Sequence, residues 1–194
     1  QVRNMPKDDP QGKGIKPVLP KAPPTPTWFI PCVFVTVGFG IAKGLASVNF
    51  DATVVKAFGG AERADAVFLI GVVLTAWLNM YLGALVFRAR EQYGVPHPMM
   101  YSDNASYMAV VRGHENYLEF LPGFYAGVFS VRVILELKGL AAVCTLMFFA
   151  GRLLYGLGYA SGVQARFPGL MISAIPYWTL FGALLGQAVS AFTK

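Results

Sequence analysis

Five long apolar stretches constrain this chain more than any other feature. A transmembrane helix needs about 20 mainly apolar residues, and the candidate stretches are 28–48, 66–87, 139–159, 169–192 and one centred on 118–131. The second stretch contains no charged residue, and only Lys43 interrupts the first. Charged residues make up 13% of the chain, about half the share found in average soluble domains. We therefore predict an integral membrane protein.

The apolar stretches favour helices over a barrel. Lipid offers no partner for unpaired backbone groups, so a spanning segment must be a helix or part of a closed barrel. Barrel strands alternate in polarity, whereas the runs 67–74 and 141–150 do not. Four glycines indicate either close helix contacts or ordinary tolerance of glycine in membrane helices, namely Gly38, Gly40, Gly156 and Gly158. The predicted fold class is an all-α membrane bundle.

Basic residues support an odd number of spans. Five helices would place ten of them on one side, namely Arg3, Lys7, Lys13, Lys16, Lys21, Arg88, Arg90, Arg112, Arg152 and Arg166. Lys and Arg accumulate on cytoplasmic or matrix-like faces, so this side is predicted to be the inner one, with residues 88–112 as an inner loop. The net charge of +6 then follows from topology and anionic lipid, and nucleic acid is not an expected partner.

The first 27 residues differ from the rest of the chain. They are basic and rich in proline, and we predict an extramembrane tail that is disordered or extended in solution. The sequence begins with Gln, which would fit removal of a targeting segment. Cys32 and Cys144 lie within predicted spans and are expected to be small apolar fillers. No metal-ligand spacing is present, so no metal is expected.

Ionisable residues near the predicted third span are the first candidates for function. Arg112, Asn116 and Glu119 are spaced i, i+4 and i+7, so they share one helix face. Glu119 would lie about 10 Å along the axis from Arg112. A cation, an amide and a carboxylate suit a zwitterionic small molecule. A structural hydrogen-bond network between helices explains the same spacing equally well.

A second set of polar residues lies at the end of the fourth predicted span. Tyr155 and Tyr159 are one helical turn apart, with Arg152 on the same side and Arg166 shortly after. Tyrosines at a helix end are more often part of an interfacial aromatic belt than of a binding site. Arg166 could equally be an ordinary positive charge of an inner loop.

Three local motifs in register resemble those of a known family. The first motif begins at Ala89-Arg90 and continues through Tyr93 and Pro98 to Met100-Tyr101, the second is Arg-x-x-x-Asn-x-x-Glu from Arg112 to Glu119, and the third is Arg-x-x-Tyr-x-x-Gly-Tyr from Arg152 to Tyr159. They resemble the membrane-associated proteins in eicosanoid and glutathione metabolism (MAPEG), most of all the type-three microsomal glutathione transferases. The resemblance implies a four-helix domain over 66–194, with 28–48 as an extra N-terminal transmembrane helix.

The resemblance also implies a site and a reaction. Family members assemble as trimers and bind glutathione between subunits. The matching positions that would hold glutathione here are Arg90, Arg112, Asn116, Glu119, Tyr155 and Tyr159. Arg166 would be the catalytic residue that stabilises the thiolate, since a neighbouring guanidinium lowers a thiol pKa. The thiolate would attack a hydrophobic electrophile or reduce a lipid hydroperoxide.

The sequence departs from the family pattern in three places. Glu91 stands where the leukotriene-synthesising members have a second arginine, and Phe120 stands where they have a tyrosine. Both changes argue against leukotriene synthesis more than against glutathione binding. The third departure is the added segment 1–65, because an extra helix could block trimer formation or dock the chain into another assembly.

Two functions follow from these observations. The first is a glutathione transferase or peroxidase embedded in the bilayer, acting as a homotrimer on hydrophobic substrates. The second is an accessory subunit of a large organellar membrane complex, such as a mitochondrial respiratory complex, with little or no activity. A mitochondrial membrane is the favoured location, with the endoplasmic reticulum as the alternative.

Overall fold

The computed structural model describes residues 29–161 and 163–193, so the predicted tail 1–27 lies outside the described residues. All regular structure within these two ranges is helical, which confirms the all-α prediction. The elements in chain order are α1 Phe29–Ser47, α2 Phe50–Phe58, α3 Ala61–Tyr93, α4 Ala105–Val133, α5 Lys138–Ser161, a 3-10 turn Val163–Arg166 and α6 Phe167–Phe192.

Three helices within the described ranges are long and apolar enough to cross a membrane. They are α3, α5 and the helical stretch Gln164–Phe192, which contains α6. Helix α4 has the length, but its first half carries Arg112, Glu115 and Glu119. The spans assigned to α1 and α4 therefore stay predictions. Consecutive long helices run in opposite directions, so loop 94–104 and the 3-10 turn share one end, called here the inner end.

The long inner loop predicted for residues 88–112 is wrong. Helix α3 continues through Arg88 and Arg90 to Tyr93, and Arg112 already lies inside α4. Gly94 ends α3 with a left-handed φ of 65°, a conformation that glycine adopts without strain. The Asn104 side chain begins α4 by accepting from the backbone N–H groups of Ser106 and Tyr107, each at 3.0 Å. Only residues 94–104 connect the two helices.

Helix α5 is the centre of the bundle, because it contacts α3, α4 and α6. The rings of Phe124 and Phe148 stack between α4 and α5, with centroids 3.8 Å apart. The Tyr117 hydroxyl donates to the Thr75 carbonyl at 2.5 Å and ties α4 to α3. Lipid is as apolar as these side chains, so close packing and such hydrogen bonds hold the helices together.

Glycines allow several of these contacts. A Cβ on Gly156 would lie 2.6 Å from a Leu82 methyl group, and one on Gly158 would lie 2.3 Å from the Ala165 carbonyl oxygen. Gly38 brings α1 against α6, where a Cβ would lie 2.1 Å from the Trp178 carbonyl oxygen. The prediction of close approach is confirmed at these three positions. At Gly40, a Cβ would have no neighbour within 4 Å among the described residues, which agrees with the alternative of ordinary tolerance.

The extra segment before the four-helix bundle packs at its edge. Helix α1 lies along α6, and the unpredicted short helix α2 sits against α5 at the outer end, opposite loop 94–104. Asp51 of α2 accepts from the Leu140 backbone N–H at 2.8 Å, in the first turn of α5. A carboxylate near a helix N-terminus is stabilising, so α2 fixes the start of α5.

Candidate functional site

Three of the predicted site residues form a connected row on α4. Arg112 Nη1 donates to Glu119 Oε1 at 3.5 Å, and Asn116 Nδ2 donates to Glu119 Oε2 at 3.3 Å. The i, i+4, i+7 spacing therefore places them on one face as predicted. The side chains of Arg112 and Glu119 remain about half exposed, at 46% and 53%. The row is accessible from outside the single chain.

Arg152 extends this row into the protein. Its side chain is almost fully buried, and its Nη1 donates to Asn116 Oδ1 at 2.8 Å. The guanidinium lies 4.2 Å from the centroid of the Phe120 ring, a cation–π contact. Its Nε has no hydrogen-bond partner among the described residues. Burying a cation without a carboxylate is costly, so this arginine is poised to bind an acceptor.

The two tyrosines of α5 and Arg166 form the next part of this group of polar residues, after Arg152. The Arg152 guanidinium lies 5.5 Å from the Tyr155 ring centroid, and the rings of Tyr155 and Tyr159 meet edge to face at 5.5 Å. Arg166 Nη1 donates to the Tyr159 hydroxyl, and its guanidinium lies 4.7 Å from the centroid of that ring. The Arg166 Nε is buried without a partner in the described part of the chain. The polar groups predicted on α4 and α5 are thus one continuous cluster.

We call this set the inner cluster and define it by seven residues, Arg112, Asn116, Glu119, Arg152, Tyr155, Tyr159 and Arg166. The close approach of α6 to α5 positions its second half. A Cβ on Gly169 would lie 2.2 Å from the Tyr155 backbone nitrogen. Glycine at this position therefore lets α6 start directly beside Tyr155, which brings Arg166 to the tyrosines.

Arg90 is the one predicted site residue that does not join the inner cluster. Its Nη1 donates to the Met99 carbonyl at 2.5 Å, and its guanidinium lies 5.9 Å from the centroid of the Tyr107 ring. The Tyr107 hydroxyl in turn donates to the Met100 carbonyl at 3.1 Å. Arg90 therefore fixes loop 94–104 to the ends of α3 and α4 within a single chain.

Sequence reasoning missed three members or neighbours of the cluster. Arg152 was noticed within its motif but was not assigned to the site. Glu115 accepts from Arg112 Nη1 at 2.8 Å and from the Tyr101 hydroxyl at 3.3 Å. Phe120 covers Arg152 with its ring. The i, i+3 spacing of Arg112 and Glu115 was a usable signal, whereas the Phe120 contact depends on how α4 and α5 pack.

The fold and site define a class: an all-α integral membrane protein whose inner end gathers arginine, carboxylate, amide and tyrosine side chains. Within residues 29–161 and 163–193, no group of three or more His, Cys, Asp or Glu side chains could hold a metal. The chain belongs to the MAPEG family, whose family model matches residues 68–186. The match covers α3 to α6 and leaves out α1 and α2.

Individual relatives agree with this assignment. The chain is 33% identical to leukotriene C4 synthase of Mus musculus over 124 residues, which covers 63% of this chain and 79% of the relative. It is 34% identical to leukotriene C4 synthase of Cavia porcellus over 121 residues, covering 62% and 77%. An uncharacterized protein of Synechocystis is 31% identical over 113 residues, covering 58% and 81%.

Proposed function

We propose that this chain is a glutathione-dependent membrane transferase that joins the glutathione sulfur to hydrophobic electrophiles or reduces lipid hydroperoxides. The single observation that carries the proposal is the inner cluster, which joins six of the seven residues assigned from the family motifs. A cluster of this composition suits a zwitterionic tripeptide. Arg152 and Arg166 form no ion pair with any residue that the structure describes, and they favour an anionic ligand.

Each part of the cluster suits a different part of glutathione. The Glu119 carboxylate would accept from the γ-glutamyl ammonium group, while Arg112, Asn116 and Arg152 would donate to carboxylates. Arg112 is paired with Glu115 and Glu119 in the single chain, and a bound carboxylate would draw it from these partners. Charge-assisted hydrogen bonds of this kind are about twice as strong as neutral ones.

Arg166 would stabilise the thiolate form of the glutathione sulfur. Its guanidinium next to the thiol favours the thiolate, which is the nucleophilic form. The thiol proton would leave to water, and the sulfur would form a bond to the electrophilic carbon while the leaving group or opened ring takes the electron pair. Tyr159 would orient Arg166 through their hydrogen bond. Arg166 is thereby the catalytic residue of the proposal.

An apolar path leads to Arg166 from the lipid. The guanidinium lies 5.6 Å from the centroid of the Phe167 ring. Phe167, Met171 and Ile175 are spaced four residues apart along α6 and are each 44–50% exposed. They form one apolar stripe that ends beside Arg166. A hydrophobic electrophile could follow it from the bilayer to the sulfur.

The placement of Arg90 and of α1 bears on the assembly. Arg90 lies apart from the inner cluster of its own chain, so we propose that it completes the site of a second copy. Helix α1 covers α6 and leaves the Arg112 and Glu119 side chains exposed on α4. The extra helix therefore leaves this face open to a second copy, which supports a homotrimer with glutathione between the subunits.

The direct test is a glutathione titration of the purified full-length chain in detergent, combined with native mass spectrometry. We expect a particle of three identical chains that binds glutathione. Glu119→Gln should weaken the binding of glutathione more than the binding of the dipeptide Cys-Gly, which lacks the γ-glutamyl group. Equal weakening would refute the role of Glu119. A large particle of many different proteins without glutathione binding would favour the accessory-subunit alternative.

A further inference from the structure

A second candidate site lies at the outer end, at the opposite end of the bundle from the inner cluster. Helices α1 and α6 touch where Gly38 meets Gly182, and a Cβ on Gly182 would lie 2.2 Å from the Gly38 carbonyl carbon. Beyond this contact, a groove of about 440 Å³ opens between α1, α2, α6 and the start of α5. None of the inner-cluster residues lines it.

The wall of the groove is mainly apolar, with a few polar groups. Phe39, Leu45, Phe50 and Leu140 supply apolar surface, and Gly186 leaves room because it has no side chain. Lys43, Gln187 and Ser190 supply polar groups. A mainly apolar cavity with a small number of polar groups is the usual form of a ligand site. This composition suits an amphiphile.

Lys43 is the cation that lines the groove. It is the one charged residue of α1, and its Nζ lies 4.9 Å from the centroid of the Phe39 ring. None of the ion pairs between described residues includes it. The one carboxylate of the groove, Asp51, already accepts from the Leu140 backbone N–H at the start of α5. The groove therefore presents an ammonium group without a carboxylate partner.

The predicted span of α1 would place Lys43 near the level of the lipid headgroups. Lys43 lies four residues before the end of α1 at Ser47, which is about 6 Å along the helix axis. A lysine near the end of a membrane helix extends its ammonium group to the interface. The Gln187 amide can donate beside it, so the polar rim offers two donors to an acceptor-rich headgroup. A phosphate with neighbouring ester oxygens fits this set better than a single carboxylate does.

We propose that this groove binds a phospholipid of the bilayer, with the phosphate beside Lys43 and one acyl chain against α1 and α6. The lipid would bind between the extra helix and the four-helix bundle. It would thereby join α1 to the domain that the family model covers. The site is independent of the proposed glutathione chemistry.

The test measures lipid retained by the full-length protein in native mass spectrometry after incubation with one defined lipid in detergent. The three probes are palmitoyl-oleoyl phosphatidylglycerol, the matching diacylglycerol without phosphate, and oleic acid. We expect retention of the phospholipid alone. Lys43→Gln should lower its apparent affinity roughly fivefold, the factor for one basic residue beside an anionic lipid. Lys56→Gln, a lysine that does not line the groove, should leave it unchanged.

A second pair of variants tests the apolar wall. Gly186→Leu places a side chain in the groove and should reduce phospholipid retention. Gly44→Leu is the control, because a Cβ there meets no described residue within 4 Å. Retention of diacylglycerol or oleic acid as strong as that of the phospholipid would overturn the proposal. So would equal retention by wild type and Lys43→Gln. Glutathione binding should be the same in all four variants, so this proposal and the proposed function can fail separately.

Discussion

The networks of charged residues at the two ends of the bundle differ in whether their cations share a carboxylate. At the outer end, Asp65 accepts from Lys138 Nζ at 2.8 Å and contacts the Arg132 guanidinium as an ion pair. One carboxylate thereby serves two cations that come from α4 and α5. At the inner end, no ion pair between described residues includes Arg152 or Arg166. Arg152 donates to the Asn116 side chain, and Arg166 donates to the Tyr159 hydroxyl.

This difference supports a structural role for the outer network and a ligand-binding role for the inner one. The outer groups are shared between helices and are partly exposed, at 22–32%. Asp65 Oδ1 is itself buried and lacks a hydrogen bond among the described residues, but it lies in the ion pair with Arg132. The inner arginines each keep a buried Nε without a partner among the described residues. A buried donor that lacks an acceptor costs about 1–3 kcal/mol. An anionic ligand would offer acceptors to both donors, which supports the proposed site.

The largest expected effect comes from removing Arg166. Arg166→Ala should lower the rate of glutathione transfer roughly 10²- to 10³-fold, as loss of one donor to a developing anion does in other enzymes. Glutathione affinity should change far less, because the neighbouring residues hold the peptide. The rate is measured with a hydrophobic electrophile, and the thiolate by its ultraviolet absorbance.

Arg88→Ala is the matched control for Arg166→Ala. Arg88 is an exposed arginine of α3 outside the inner cluster. Its loss should leave both the rate and the thiolate absorbance at wild-type levels. An equal fall in both variants would mean that general basicity at the inner end matters and that the position of Arg166 does not.

The same substitution at the two ends gives the sharpest contrast. Arg152→Met should weaken glutathione binding tenfold or more, because a hydrogen bond to a charged group contributes about 1.5–3 kcal/mol. The thermal stability of this variant should change little, since a hydrophobic side chain of similar volume can replace a buried cation. Arg132→Met should do the reverse, with lower thermal stability and unchanged binding. Equal effects of the two variants on both quantities would remove the distinction between the networks.

Asp65 tests the outer network alone. Asp65→Asn leaves Arg132 and Lys138 without their carboxylate, and the free energy of unfolding should fall by about 1 kcal/mol, the upper value for a partly exposed ion pair. Unfolding is followed by circular dichroism in detergent at low and high salt. High salt should shrink the difference, since it screens exposed charges. Asp103→Asn, in the exposed loop 94–104, should change nothing.

The sequence predicted much of this arrangement because membrane helices have few alternatives. The apolar stretches located α3, α5 and α6, and the spacing of Arg112, Asn116 and Glu119 placed them correctly on one helix face. The ends of α3 and α4 were missed because the helices continue past the apolar stretch into polar sequence. Gly94 and Asn104 fix those ends, and both are recognisable as a C-terminal glycine and an N-terminal cap.

The inner cluster as a whole could not be read from one helix. Its continuity depends on Arg152 reaching Asn116 across the interface between α4 and α5, and on Gly169 letting α6 start beside Tyr155. Contacts between side chains of different helices depend on how the helices pack, and the spacing of residues along one helix does not predict that packing. The position of Arg90 outside the cluster has the same origin, since its motif predicts a place in the cluster while its contacts lie in loop 94–104 and at Tyr107.

The smallest expected effect concerns the aromatic cover of Arg152. Phe120→Leu removes the ring that lies 4.2 Å from the guanidinium and should weaken glutathione binding about two- to fivefold, as expected for a cation–π contact of about 0.5–1 kcal/mol. Phe120→Tyr keeps the ring and should stay within about twofold of wild type by the same reasoning. Binding is measured by titration of both variants under the same conditions. If Phe120→Leu binds like wild type, the Phe120 ring adds nothing to the role of Arg152 in binding, and Phe120 serves only to pack α4 against its neighbours.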